Sequence, residues 1–320
     1  MALGAAFSVE TKPISQKQAN SRVERECRWR WKCLGPGWDS FLNLKDIVGE
    51  NTKNRLGARI IGIVTPANRN DPEAWRALTE CDLAEFRADL WEPSEIVEEV
   101  RAFRDACIAK FGHSLDTIFT IRLEKDGGTW PDKAAKDREK IWLSLGLDTE
   151  DPPCEWIDVE VEAFAALSPQ FRSVLAAGRV KTLASRHKMH GSYSAPDLRR
   201  LGQELLDTGA NGVKLAVTCI NRTEVLDLLA FTSVIAKANP QACVLSMGDV
   251  GKVTRVLGPI LGCPLTYGYL SGRGVAPGQL SVRKMREFYT NTDTLKLQNL
   301  SVIELLNWAE ARLSGASLAK

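Results

Sequence analysis

The stretch GANGVKLAVT, Gly209 to Thr218, decides how the rest of the chain is read. A turn-like Gly-Ala-Asn-Gly leads into Val213, Leu215, Ala216, Val217 and Thr218, which are apolar or β-branched, so the segment reads as a buried strand. Lys214 interrupts it, and stripping water from an ammonium is costly. Side chains two apart on a strand share a face. Gly212 and Ala216 therefore flank Lys214 and leave room around it. Such a strand reads as one that presents its lysine to something.

Similar strands lie on either side of it. Short β-rich runs recur at RIIGIVTP, LAEFRADL, DTIFTIRL, EWIDVEVE, VKTLASRH, GVKLAVT, ACVLSMG and CPLTYGY. Helical spacing fills the gaps at 72–80, 94–110, 133–145, 163–177, 195–208, 222–237 and 250–260, with a last segment after Gln279. Strand–helix alternation of this kind implies a parallel sheet. Eight units in about 230 residues predict a closed (β/α)8 TIM barrel. An open doubly wound sheet normally carries a glycine fingerprint after its first strand, and here that strand ends VTPANRND. Ser301–Leu313 predicts an extra C-terminal helix. Residues 1–56 lack periodicity and are expected to form an irregular N-terminal extension, leaving 57–320 as the barrel domain.

Composition narrows the function classes. The 320 residues are 44% hydrophobic and 26% charged with a formal net charge of +2, which gives no reason to expect nucleic acid or an acidic membrane surface. RECRWRWKCLGPGW, Arg25–Trp38, mixes cations with three tryptophans. Such a stretch suits stacking on a nucleic-acid strand, but its place in an unpatterned extension favours the plainer reading. No apolar run approaches the roughly 20 residues that span a bilayer, and the start has no secretory pattern. Eight scattered cysteines without a CxxC pair are expected to be reduced thiols of a cytoplasmic protein. No metal-ligand spacing is present.

Polar residues gather on the inward faces. Glu85 and Arg87 share one face, as do Thr120 and Arg122, Asp158 and Glu160, and Ser185 and His187. Any one pair suits a structural ion pair, but five consecutive strands, the second to the sixth, each carry such residues. In a barrel their C-terminal ends open onto one site. Neighbouring strands lie roughly 4.8 Å apart, so His187 and Lys214 can meet over one substrate. Burial and neighbouring arginines are expected to disfavour the ammonium, and a neutral amine attacks carbonyls to form imines.

The pieces DLAEFRADL, FTIRLEKDGG, WIDVEVE, SRHKMH, GVKLA, SMGDVGKVTR and VAPGQL occur in the order and near the spacing of a known family. From about Arg59 to Tyr289 the chain resembles type I 3-dehydroquinate dehydratase, the Schiff-base lyase of the shikimate pathway. The resemblance implies that Lys214 forms the imine and His187 is the general acid and base. It places Asp126 and Asp158 where carboxylates orient that histidine. Glu85, Arg87 and Arg122 are implied to serve substrate hydroxyls and the local field, Arg255 and Gln279 the substrate carboxylate, and Met247 and Tyr267 apolar walls. Val275, in the lid loop, replaces a residue often bearing a hydroxyl. Asp126 stands where the family usually has glutamate, and Lys188 and Met189 stand where it shows Asp and Phe. The resemblance implies 3-dehydroquinate as the small-molecule substrate, no cofactor or metal, no nucleic-acid or membrane partner, and a homodimer. The alternatives are another lysine-imine barrel of the class I aldolase or transaldolase type, and a catalytically silent barrel that binds a partner.

Overall fold

The computed structural model describes residues 57–297 and 299–315, so the extension expected at 1–56 lies outside the described residues. The chain runs through β1 (Arg59–Val64), α1 (Pro72–Leu78), β2 (Leu83–Arg87), α2 (Ile96–Phe111), β3 (Thr117–Thr120), α3 (Arg138–Ser144), β4 (Trp156–Glu160) and α4 (Pro169–Ala176). It continues through β5 (Lys181–His187), α5 (Ala195–Asp207), β6 (Gly212–Val217), α6 (Arg222–Ala238), β7 (Ala242–Ser246), α7 (Gly248–Gly251) and α8 (Thr254–Ile260). The last elements are β8 (Leu265–Tyr269), β9 (Leu280–Ser281), α9 (Val282–Thr290), α10 (Thr294–Leu297) and α11 (Val302–Ser314).

All strands are parallel, and β1 lies between β2 and β8, so that Ile61 pairs with both Leu83 and Tyr267. The sheet thus curls into the expected (β/α)8 barrel, with α11 as the extra C-terminal helix. Among the described residues no ladder bond joins β7 to β8. That seam is bridged by α8: the Ser246 N–H donates to Thr254 Oγ1 at 2.7 Å, and Thr266 Oγ1 donates to the Arg255 carbonyl at 2.7 Å. Short β9 extends the sheet beside β8 through Gly268 and Leu280.

The period of two holds all round the ring. Inward residues Ile61, Leu83, Ile118, Trp156, Leu183, Cys243 and Leu265 fill the barrel's lower half as one apolar cluster. Outward residues Ile60, Phe86, Phe119, Ile157 and Leu215 are buried beneath the helices. Phe86 stacks between Trp91 and Phe119, with ring centroids 5.1 and 6.2 Å away. Burying one such side chain stabilises the fold by about 1.5–3 kcal/mol. Both strand faces being covered explains why these strands read as apolar runs.

Helix ends follow local chemistry. Asn221 Oδ1 accepts from the Glu224 N–H at 2.9 Å to start α6, and α2 ends at Gly112 in the left-handed region, φ 80°. The helix expected over 163–177 splits, because Ser168 is extended before Pro169 and its hydroxyl caps α4. The one expected over 133–145 begins as a 3-10 segment and becomes α-helical only at Arg138. No helix among the described residues is long and apolar enough to cross a membrane.

Candidate active site

Above the apolar layer the inward side chains become charged, and the strand ends open into one cavity. Eleven of the twelve residues singled out in the sequence line it: Glu85, Arg87, Arg122, Asp126, His187, Lys214, Met247, Arg255, Tyr267, Val275 and Gln279. Asp158 lies just beneath. Residues the sequence left unassigned complete the wall, notably Ile63, Met189, Leu245, Ala276 and Pro277.

Lys214 is 5% exposed and is not an isolated charge. Its Nζ donates to Glu85 Oε1 at 3.0 Å and Asp158 Oδ2 at 3.4 Å, and the Tyr267 ring centroid is 3.9 Å away. The expected crowd of arginines around the amine is thus a pair of carboxylates. The register explains the β4 partner: Lys214 sits beside Ser185 of β5, whose own neighbour on β4 is Glu160. The β4 carboxylates thus lie only two strands from the amine, while Glu85 reaches it from β2.

Arg122, just past β3, ties this group together. Its Nη1 donates to Glu160 Oε1 and Ser185 Oγ, both at 2.9 Å, while Nη2 donates to Asp158 Oδ2. Ser185 also donates to Asp158, and Arg138 at the start of α3 donates to the other Glu160 oxygen. Three cations, Lys214, Arg122 and Arg138, thus face three carboxylates, Glu85, Asp158 and Glu160. Burial alone would raise Asp158, but Arg122 and Lys214 outweigh it and hold the carboxyl well below the usual range. Sequence spacing gave no sign of Arg138, because its position depends on how α3 packs against β3 and β4. Glu160, two residues after Asp158 on the same face, carried the signal that was available.

Arg87 is occupied as well. Its Nε and Nη2 grip Asp89 at 2.9 and 2.8 Å, a bidentate pair. Arg87 and Arg122 therefore shape the field of the cavity with their forks already engaged.

Four of the residues at the site have buried polar atoms without hydrogen-bond partners among the described residues: Asp126 Oδ2, His187 Nδ1, Arg255 Nε and Nη2, and Tyr267 Oη. All four residues line the cavity. The His187 imidazole is pushed well below its ordinary value, first by burial and then by the Arg122 and Lys214 charges, so the ring is neutral. Neither Asp126 nor Asp158 is hydrogen-bonded to it. Burial, with Glu160 nearby, pushes Asp126 up to about 6. Asp126 is held by the loop after β3, which returns so that the Trp130 N–H reaches the Arg122 carbonyl at 3.1 Å. Arg255 is 2% exposed, faces no carboxylate in an ion pair among the described residues, and is brought down to about 10 by burial.

The lid is drawn over this space. The Gly248 N–H donates to the Pro277 carbonyl at 2.9 Å, and Gln279 Oε1 accepts from the Val275 N–H at 2.9 Å. Gln279 thereby spends its acceptor on the loop and keeps its amide donors. Val275 lies at the rim, 39% exposed. Gly278 has φ +70°, and a Cβ there would collide with the Gly248 carbonyl, so the lid can seat this closely only with glycine.

Arg255, a buried guanidinium with no carboxylate partner among the described residues, shares its cavity with an amine and a neutral imidazole. Fold and site together define a (β/α)8 barrel with a buried lysine at the centre of its cavity. The model of the type I 3-dehydroquinase family matches residues 60–296. The 3-dehydroquinate dehydratase of Methanosarcina mazei is 31% identical over 212 residues, covering 64% of this chain and 83% of that protein. That of Streptococcus suis is 27% identical over 234 residues, covering 72% and 97%. The crystal structure of the Geobacillus kaustophilus 3-dehydroquinate dehydratase superposes with a TM-score of 0.61 at 25% identity, covering 73% of this chain and 90% of that one. The chain belongs to the type I 3-dehydroquinase family.

Proposed function

We propose that this protein is a 3-dehydroquinate dehydratase that converts 3-dehydroquinate to 3-dehydroshikimate and water, a step of the shikimate pathway. The observation that carries the reading is the paired amine of Lys214 in one cavity with a neutral His187 and an uncompensated Arg255. In this reading Lys214, after passing a proton to a neighbouring carboxylate, attacks the C3 ketone, and loss of water gives the iminium. The iminium withdraws electrons from C2, and neutral His187 removes the C2 proton. The resulting enamine expels the C1 hydroxyl, which takes the proton back from His187 and leaves as water. Hydrolysis of the imine then frees the product and Lys214. General acid–base help of this kind contributes about 10²- to 10⁴-fold.

Arg255 and the free amide donors of Gln279 take the substrate carboxylate. Glu85 and Asp158 hold the amine and Glu85 receives its proton, while Arg122 and Arg87 set the field. Asp126 polarises the histidine side of the cavity, and Met247 and Met189 supply apolar wall. No metal or dissociable cofactor enters this chemistry. A division of the chain into 1–56 and a barrel domain 57–320, a homodimer and a cytoplasmic setting belong to the same reading. The family match beginning at residue 60 supports that division of the chain.

The test is an assay with 3-dehydroquinate, following the conjugated enone of the product, together with borohydride reduction in the presence of substrate. Mass spectrometry should place an adduct on Lys214. An aldolase-type barrel would cleave a carbon–carbon bond without forming the enone, and a silent barrel would give neither product nor adduct.

A further inference from the structure

Tyr267 sits on β8 with its ring face toward Lys214 Nζ, 3.9 Å from amine to centroid. The residue is 2% exposed, and its hydroxyl is fully covered without a hydrogen-bond partner among the described residues. Leaving a buried hydroxyl unpaired is destabilising. An apolar wall needs no such group, since phenylalanine would fill the same space without it. The carbonyl of the same residue accepts from Arg255 Nη1 at 3.5 Å. Tyr267 therefore touches both, the amine proposed to meet a carbonyl carbon through its ring and the guanidinium proposed to meet a carboxylate through its backbone carbonyl. A keto acid spanning the two passes across the phenol.

We propose that the Tyr267 hydroxyl is a substrate-binding donor, giving its hydrogen bond to an oxygen of the bound keto acid close to the carbon that joins Lys214 Nζ. The assignment rests on the imine reading above. Burial, and then the Glu85 charge, push the phenol well above its ordinary value, so it keeps its proton and donates at any working pH. The ring face remains under the nitrogen as the ammonium becomes an iminium, where its quadrupole favours positive charge at both stages. The hydroxyl thus has no partner among the described residues and is free to donate to a ligand.

This makes an unusual prediction for Tyr267→Phe. Without ligand the variant should melt at or above the temperature of the parent. With ligand it should be the weaker binder: KM for 3-dehydroquinate and the concentration that half-saturates borohydride trapping should each rise about tenfold, the loss of one hydrogen bond. The pH dependence of kcat should keep the parent's limbs, because the ring and the proton-transfer groups remain. If the parent is trapped and the variant shows the same KM and half-saturation, or the unliganded variant melts lower than the parent, the assignment is overturned alone. If the parent is not trapped either, the imine reading falls and takes this assignment with it.

Discussion

Lys214 Nζ stands 3.0 Å from Glu85 Oε1, and the two residues are 129 positions apart in the chain. The amine proposed to attack the substrate is therefore half of a buried ion pair, and the carboxylate that stabilises it is also placed to take its proton. Glu85 is further fixed by Thr120, whose hydroxyl donates to Oε1 at 3.1 Å. Removing one partner of a buried pair costs about 3–5 kcal/mol when nothing else compensates. Because Asp158 remains beside Lys214, Glu85→Gln should fall at or below the lower end of that range. Asp158→Asn should be more damaging, since it also deprives Arg122 and Ser185. Urea midpoints rank the two variants, and the opposite order would contradict the network drawn here.

The His187 imidazole titrates well below its ordinary value in the folded protein. Between that value and about 6.5 the unfolded chain binds more protons than the folded one, so stability is lost as pH falls below about 6.5. His187→Asn should flatten this part of the curve of melting temperature against pH. His187→Ala should lower kcat by about 10²- to 10⁴-fold or more. The acid limb of kcat/KM, which reports the free enzyme, should lie below 6.5. A limb at or above that value would mean that the ring carries a proton in the resting site.

Asp126 behaves in the opposite sense, because burial and Glu160 raise it to about 6. The folded state holds this proton more tightly than the unfolded chain, so its contribution is present at low pH and lost as pH rises through about 6. Asp126→Asn imitates the protonated form. It should melt above the parent at pH 8, with the gap closing by about pH 4. A constant gap across that range would show that the carboxyl is not strained by ionisation.

Arg255→Lys keeps the charge but loses the planar fork. Charge-assisted hydrogen bonds contribute about 1.5–3 kcal/mol each, so KM should rise about 10- to 100-fold with a smaller fall in kcat. Steady-state kinetics on 3-dehydroquinate decide this, and an unchanged KM would remove Arg255 from the carboxylate site.

Arg138 does not line the cavity, yet it is 2% exposed and paired with Glu160. Arg138→Met should destabilise the fold by about 3 kcal/mol or more, since Glu160 loses one of two buried partners. A fall in kcat should accompany it if Glu160 then pulls Arg122 away from Asp158, and Arg138→Lys should restore part of both. Lowered stability with a wholly unchanged kcat would separate the outer ion pair from the chemistry.

The sequence by itself determined the barrel and the inward-facing polar side chains of its strands. Period-two faces and strand–helix alternation are local, and a parallel strand buried on both sides announces itself as an apolar run wherever it lies. The polar exceptions to those runs, such as Lys214 in GVKLA and Glu85 in AEFRADL, are legible for the same reason, because nothing else in a buried strand explains them. The helix break at Pro169 is local too, although helical spacing reads through it, whereas the close seat of Gly278 against Gly248 is a tertiary contact. Tertiary structure alone decided what each exception faces. Lys214 reads as a lone cation in sequence and is a paired one in the fold, because its partners come from β2 and β4. Arg138, from a helix, reaches Glu160 only after α3 packs on the barrel. Gln279 is half engaged by its own lid, and Tyr267 is left with an unanswered hydroxyl. Charge pairing and hydrogen-bond satisfaction depend on distances of a few ångströms between residues far apart in the chain, and such distances are set by the closure of the ring.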